Sequence, residues 1–321
     1  MVVVAAAACG GNAPGVGEQS PGAGGAGAKA GSSGSGGAGG GIAIGGNAGT
    51  GMSGGSSGGM SGNTGAIAPD SVTLEMGPFE VGAGTDTYRC QNFANPFGGI
   101  DVEIAEFESH MSDGSHHLIL NYADGATSTG IEPCGGLEAP QGPYTTQAKD
   151  DRLVYPEGIG AFLGGSQGLR INSHYVNTTI EPFQATIAIT LRRAPTGAVR
   201  ARAYSTFTLD FSVNVPPGET GYASGSVGLA DGATLLWLLP HMHWHGTRFT
   251  VTTGGQTIFE TDNWETPPYP FDPPLAIPAG QSLEYQCEYF NGESVPLTFG
   301  ESATTNEMCV LVVQYYNAQD L

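Results

Sequence analysis

Short apolar runs separated by Gly, Pro, Asn and Asp recur from about residue 70 onward, and the spacing of amphipathic helices is nearly absent. Runs of this length, rich in β-branched and aromatic residues and bounded by turn residues, are typical of β-strands. The pattern predicts strands over Ile100–Phe107, His116–Tyr122, Leu169–Asn177, Ala185–Arg193, Tyr204–Val215, Leu235–Leu239, Thr247–Thr252, Leu283–Phe290 and Met308–Tyr316.

Several short strands in each half predict an all-β chain built from two antiparallel β-sandwiches. Pro and Gly follow a finished strand in the segment Arg193–Ala201, so we place the boundary there. The predicted domains are an N-terminal one over residues 69–196 and a C-terminal one over residues 197–321.

The first 68 residues differ from the rest in composition. Residues 10–68 are mostly Gly, Ser and Ala, too polar and small to offset their ordering entropy, and are expected to form a disordered tether. Residues 1–9 resemble a truncated bacterial lipoprotein signal in which Cys9 is the candidate lipidated residue, although the basic segment is missing. The alternative is an Ala-rich terminus with an unrelated cysteine. The signal predicts an exported protein, at the cell surface or as an outer-membrane or periplasmic lipoprotein.

The net charge is −20, which argues against a nucleic-acid partner and against an anionic membrane surface. No apolar run is long enough for a transmembrane helix, so we expect membrane attachment only through a lipid anchor. Apart from Cys9, the cysteines are Cys90, Cys134, Cys287 and Cys309. An even number in an exported chain indicates disulfides, and pairing within each half is the simplest of three connectivities. The alternative is a thiolate metal site.

Five of the seven histidines fall in three motifs, and a methionine follows them. His116 and His117 are adjacent, His174 comes next in a predicted strand, and His241 and His243 form His-X-His before Met308. Imidazole binds both oxidation states of copper and thioether favours copper(I), so this donor set indicates copper. His241 and His243 should project from one face of a strand. His116 and His117 can share an ion only at a strand entrance or a bulge.

These motifs, in this order and with Cys309 directly after Met308, resemble those of the copper type II, ascorbate-dependent monooxygenases. This family includes dopamine β-monooxygenase and the peptidylglycine α-hydroxylating monooxygenase, and the resemblance covers about residues 70–321. It implies two jelly-roll-like domains with two coppers that face each other across an open cleft. His116, His117 and His174 would hold the electron-transfer copper, and His241, His243 and Met308 the catalytic, oxygen-binding copper. It also implies the disulfides Cys90–Cys134 and Cys287–Cys309.

The resemblance implies hydroxylation of an activated C–H bond with dioxygen and ascorbate, or a similar one-electron reductant. Leu239, Val310 and Val312 stand where the peptide-hydroxylating member has substrate-binding polar residues. We therefore expect a small apolar or aromatic substrate rather than an anionic peptide.

Two other functions stay open. The same ligands could bind and store copper outside the cell without oxygenase activity, which the loss of substrate-orienting residues favours. An adhesion or structural lipoprotein would leave the ligand set unexplained.

Overall fold

The structure, a computed structural model, describes residues 68–136, 138 and 142–321. The predicted signal with Cys9 and the predicted tether lie outside these residues, with one exception. Ala68, which we expected to end the tether, is buried in an apolar core and so belongs to the folded part of the chain.

The described part is all-β, as predicted, with 21 strands and one short 3-10 helix at Ala318–Asp320. In the first half the strands are β1 (Ser71–Val81), β2 (Asp86–Phe93), β3 (Val102–Met111), β4 (Ser115–Asp124), β5 (Glu132–Pro133), β6 (Tyr144–Thr146), β7 (Asp150–Val154), β8 (Ile159–Leu163), β9 (Gln167–Val176) and β10 (Phe183–Arg193). In the second half they are β11 (Ala201–Arg202), β12 (Tyr204–Leu209), β13 (Asn214–Val215), β14 (Thr220–Gly228), β15 (Ala233–His241), β16 (Gly246–Thr253), β17 (Gln256–Thr261), β18 (Tyr269–Ala276), β19 (Ser282–Phe290), β20 (Leu297–Thr298) and β21 (Val310–Asn317).

The first half folds into a jelly-roll-like sandwich of two sheets. One sheet has the order β1-β10-β3-β8-β11, with β7 also paired to β3, and the other has the order β5-β2-β9-β4-β6. Both sheets contribute to one apolar core, for example Phe107 from β3 and Ile171 and Tyr175 from β9. Side chains alternate along β9, so Ile171 and Tyr175 face this core and His174 lies on the other side.

The second half pairs its strands in the orders β12-β21-β15-β18 and β14-β19-β16-β17, with a small β13-β20 ladder. A second core lies between the two larger sheets and includes Leu238 and Leu311. The predicted single strand Tyr204–Val215 is wrong in one respect, because it breaks between β12 and β13. Asp210 accepts hydrogen bonds from the backbone N–H groups of Ser212 and Ser224 at 2.8 and 3.0 Å, which fixes a turn there.

The sheet that contains β15 and β21 has apolar side chains on both faces. Leu238 and Leu311 face the second core, whereas Leu239 and Val312 join the apolar cluster of the first half. This explains why every residue of β15 is buried, and why its sequence is apolar without alternation. The predicted boundary between residues 196 and 197 lies between β10 and β11, and β11 pairs in parallel with β8 of the first sandwich.

Two disulfides, Cys90–Cys134 and Cys287–Cys309, confirm the predicted within-half pairing. Cys309 of the second disulfide directly follows the predicted ligand Met308. Among the described residues, no helix has the length and apolarity needed to cross a lipid bilayer.

Candidate metal centre

All five histidines of the three predicted motifs lie in one cluster between the two sandwiches. The His116 ring is central, with centroids 5.3, 5.0, 5.1 and 5.4 Å from those of His117, His174, His241 and His243 respectively. His117 lies 5.1 Å from His174 and 5.2 Å from His241. The two predicted ligand sets are therefore neighbours, not sites separated by an open cleft.

A β-bulge places His116 and His117 on the same side of the sheet. The pairing of β4 with β9 matches Ser115 to Tyr175 and His117 to His174, so the register shifts at His116. An extra residue in one strand lets two consecutive side chains avoid the usual alternation. The bulge satisfies the condition under which His116 and His117 could approach one ion, and His117 and His174 become direct cross-strand neighbours.

His241 and His243 are brought together at a strand end. β15 finishes at His241, and His243 lies in the following turn, so the prediction that both side chains project from a strand is wrong for His243. Met242 between them is buried in the second core, and the two imidazoles consequently face away from that core with ring centroids 5.4 Å apart.

Burial keeps these imidazoles neutral. His116, His117 and His241 are at most 8% exposed, and removal from water lowers the pKa of each well below its ordinary value of 6.5. Neighbouring imidazoles lower the three pKa values further. Burial also lowers the pKa of His243, against the opposing charge of Glu307. Neutral imidazole is the form that binds metals.

Hydrogen bonds select the tautomer of His241 and His243. The Gln147 amide group donates to the carbonyl of Pro240 at 3.1 Å, so its oxygen faces His241 and accepts the Nδ1 hydrogen at 3.0 Å. His243 Nδ1 donates to the Asn306 carbonyl at 2.9 Å. In both rings Nε2 therefore carries the free lone pair.

His174 is held in the opposite tautomer. Its Nε2 donates a short hydrogen bond to the Asp86 carboxylate, which also accepts from the Ser302 hydroxyl at 3.0 Å. Partial burial acts to raise the pKa of Asp86, but these hydrogen bonds outweigh it and the pKa is lowered. The Tyr88 ring stacks on His174 at 3.9 Å between centroids and fixes its plane. The free lone pair of His174 is on Nδ1.

Glu307 organises the turn that carries His243. It is fully buried, and its carboxylate accepts the backbone N–H groups of His243 and His245, both at 2.9 Å. His245 Nδ1 donates to the same carboxylate at 3.1 Å. His245, which continues the His-X-His spacing after His243, is thus a partner of Glu307 and supports this turn.

Each of the five clustered histidines has one buried ring nitrogen without a hydrogen-bond partner. These atoms are Nε2 of His116, His241 and His243, and Nδ1 of His117 and His174. A buried polar atom without a partner is costly, and such atoms are rare in folded proteins. Five in one cluster fit a set of metal ligands, and in His174, His241 and His243 an acceptor orients the second ring nitrogen. Imidazole nitrogen is compatible with copper.

An apolar cavity of about 280 Å³ adjoins the cluster. His117, His241 and Met308 line it, so the structure brings Met308 to the same cavity as members of both histidine sets. The remaining lining residues are mostly apolar: Ile119, Gly136, Glu138, Thr145, Phe207, Leu209, Phe211, Leu239, Val310 and Val312. The pairing of β15 with β21 places several of these residues side by side, since Leu239 is opposite Val312 and His241 is opposite Val310.

Sequence reasoning missed the residues that support the cluster. Asp86, Gln147 and Asn306 come from segments without histidines, and Trp264 lies 5.6 Å from His116 between ring centroids. Glu307 directly precedes Met308 in the sequence, but the sequence predicts no role for its carboxylate. Cys90 and Cys134 lie near Glu138, but the disulfide occupies both sulfur atoms. His110 is exposed and pairs with Asp150, away from the cluster.

No protein-family model matches this chain, and no curated protein matches it. Among solved structures, the STIV MCP aligns with 9% identity and a TM-score of 0.36 over 77% of this chain and 97% of that one. The major capsid protein P2 from bacteriophage PM2 aligns with 9% identity and a TM-score of 0.33 over 77% and 97%. Peptide:N-glycanase F (PNGase F) aligns with 9% identity and a TM-score of 0.30 over 77% and 95%. These likenesses assign no family and no activity.

Proposed function

We propose that the chain is a copper-dependent monooxygenase that hydroxylates a small apolar or aromatic molecule with dioxygen and an ascorbate-like reductant. The observation that carries the proposal is the cluster of buried imidazoles, each with one unpartnered ring nitrogen, beside an apolar cavity. In the overall reaction one oxygen atom enters the C–H bond of the substrate. The other leaves as water, after the reductant supplies two electrons and the solvent supplies two protons.

Copper bound by His116, His117, His174, His241, His243 and Met308 would supply the one-electron and dioxygen chemistry. Burial lowers the pKa values of His116, His117, His241 and His243 and so favours their neutral form. Hydrogen bonds orient the rings of His174, His241 and His243. The cavity offers mostly apolar walls on the side of the cluster where a substrate would bind. Two disulfides support the further proposal that the protein is exported, since disulfides persist in oxidising compartments.

The cavity supports an uncharged substrate. Glu138 carries the only carboxylate among the described lining residues, and Arg170 pairs with it at 2.9 Å. No lysine or arginine belongs to the described lining residues, so a carboxylate in the cavity would lack a partner. For an aromatic hydrocarbon and its carboxylated analogue, we expect a lower KM for the hydrocarbon. Initial rates of oxygen consumption at varied substrate concentration measure this difference.

The proposed activity is tested on copper-loaded protein with ascorbate and a panel of alkylbenzenes. We expect oxygen consumption that requires both ascorbate and substrate, and a hydroxylated product that contains ¹⁸O when ¹⁸O₂ is supplied. Tight copper binding without substrate-coupled oxygen consumption across the panel would favour copper storage instead. Protein that binds no copper would contradict both functions.

A further inference from the structure

His116 lies with the second histidine set as well as with the first. One ring nitrogen from each of His116, His241 and His243 lies within 4.8 Å of the corresponding atoms of the other two. Their Nε2 atoms are all buried and unpartnered. Metal–nitrogen bonds of about 2.0–2.1 Å set nitrogen–nitrogen separations of roughly 3.3–3.6 Å in a trigonal or tetrahedral site. The three rings are therefore close to binding distance of one ion without rearrangement of the strands.

His117 and His174 remain as a second pair. Their unpartnered Nδ1 atoms are on cross-strand neighbours whose ring centroids are 5.1 Å apart. His116 is in ring contact with both members of this pair and with both members of the His241–His243 pair. The His117–His174 pair and the His241–His243 pair are therefore not separated by other side chains at His116, whose ring contacts all four.

We propose that His116, His241 and His243 share one copper ion that joins the two sandwiches, and that this ion and one held by His117 and His174 form a single, directly interacting pair. This inference rests on the proposed copper-dependent function. It differs from the two isolated sites across an open cleft that the sequence resemblance implies, because His116 changes from one ligand set to the other.

Hydrogen bonds between the two halves of the chain hold the two histidine sets next to each other, without a cleft between them. Tyr88 donates to the Glu301 carbonyl at 2.9 Å, and the Gly136 N–H donates to the Glu301 carboxylate at 3.0 Å. Ser302 donates to Asp86, the acceptor for His174, and Gln147 orients His241 from the opposite half. The second half thus supports a histidine of the first half, and the first half supports a histidine of the second. Opening a cleft would break both supports.

The test is electron paramagnetic resonance of the wild-type protein loaded with copper(II), with copper content measured by mass spectrometry. Two copper(II) ions in direct interaction give a signal weaker than two independent spins and a half-field transition. We expect both features at two coppers per chain. Two coppers with the full intensity of independent spins and no half-field transition would overturn the inference and leave the proposed function intact. Absence of copper binding would overturn both.

The His116→Ala variant identifies the shared ligand, and His110→Ala is the matched control on an exposed histidine remote from the cluster. In His116→Ala we expect loss of the half-field transition and weaker copper binding by the His241–His243 pair. The hyperfine pattern of the copper at this pair should also change. In His110→Ala, copper content and spectrum should match those of the wild type. If His116→Ala retains the interacting spectrum, His116 is not the ligand that joins the sets. The wild-type measurement stands even if this variant does not fold.

Discussion

Three hydrogen-bond acceptors determine which ring nitrogen of His174, His241 and His243 is free to bind a metal. Asp86, Gln147 and the Asn306 carbonyl accept the ring hydrogens of His174, His241 and His243, respectively. The free atom is consequently Nδ1 in His174 and Nε2 in the other two. Partners of this kind are often nearly as important as the ligands, because they fix both the tautomer and the ring plane.

Replacing Gln147 should weaken copper binding without removing a ligand. In Gln147→Leu, His241 loses the acceptor of its Nδ1 hydrogen, and the ring is free to rotate or to adopt the other tautomer. We expect a loss in copper affinity on the order of 10–100-fold, measured by competition with a chromogenic copper(I) chelator. Gln184→Leu, on the exposed face of β10, is the matched control and should retain wild-type affinity. Equal affinities for the wild type and Gln147→Leu would show that Gln147 does not orient His241.

Replacing Met308 should separate copper binding from catalysis. Met308→Ile keeps the volume of the side chain near that of methionine but removes the thioether that favours copper(I). The five imidazoles are unchanged, so we expect copper to remain bound while ascorbate-dependent oxygen consumption with substrate is lost. Met76→Ile, at a buried methionine in the first core, should retain activity. Full activity in Met308→Ile would exclude the thioether from the reaction.

The sequence predicted the clustered histidines but not the groups that orient them. Neighbouring motifs and family resemblance identify His116, His117, His174, His241 and His243 as candidate ligands. Gln147 and His241 are 94 residues apart, and Asp86 and His174 are 88 apart, so these pairs form only when the sandwiches fold. An isolated glutamine or aspartate in a strand-rich chain carries no local signal of such a role.

At the level of strands, the predictions hold best where one apolar pattern runs without interruption. β9 covers most of the predicted strand Leu169–Asn177, and one of its faces meets the core while the other meets His117. The sequence pattern predicts β12 and β13 as one strand. The turn between them forms because the Asp210 carboxylate accepts backbone hydrogen bonds, and the spacing of apolar residues does not reveal such bonds. The side-by-side arrangement of the two histidine sets was also missed, since strand periodicity does not determine how one sandwich packs against the other.

The turn after β15 should depend on the buried carboxylate of Glu307. Each of its oxygens accepts a backbone N–H, from His243 and His245. In Glu307→Gln, either orientation of the amide sets its NH₂ group against one of these donors. A buried donor without an acceptor costs about 1–3 kcal/mol, and hydrogen bonds to charged groups are stronger still. We expect the free energy of unfolding in urea to fall by about 2–3 kcal/mol, with weaker copper binding.

Glu293→Gln is the matched control for Glu307→Gln. The Glu293 carboxylate is half exposed and lies 3.8 Å from His245 Nε2, so it belongs to the same neighbourhood but accepts neither backbone N–H. Its replacement should change the free energy of unfolding by less than about 1 kcal/mol. Similar losses in both variants would show that charge near His245, and not the support of the turn, determines stability.

On the scale of the whole molecule, a shared histidine cluster makes the stability of the metal-free protein depend on pH. The pKa values of His116, His117, His241 and His243 are lowered in the folded chain from the ordinary 6.5, first of all by burial. Below pH 6.5 the unfolded chain binds protons that the folded chain does not, so stability falls with pH. Each histidine contributes up to about 1.4 kcal/mol per pH unit between its unfolded and folded pKa values.

We therefore expect the melting temperature of the metal-free protein to be steady above about pH 6.5 and to fall steadily from there toward pH 5, measured by differential scanning calorimetry. This range lies above that in which carboxylates with lowered pKa values, such as Asp86, begin to lose their contribution. His117→Gln removes one of these titrating rings and should reduce the slope of stability against pH. A melting temperature independent of pH between 7.5 and 5 would mean that these four imidazoles take up protons as readily in the folded chain as in the unfolded one. Burial and mutual repulsion between rings whose centroids are about 5 Å apart oppose this.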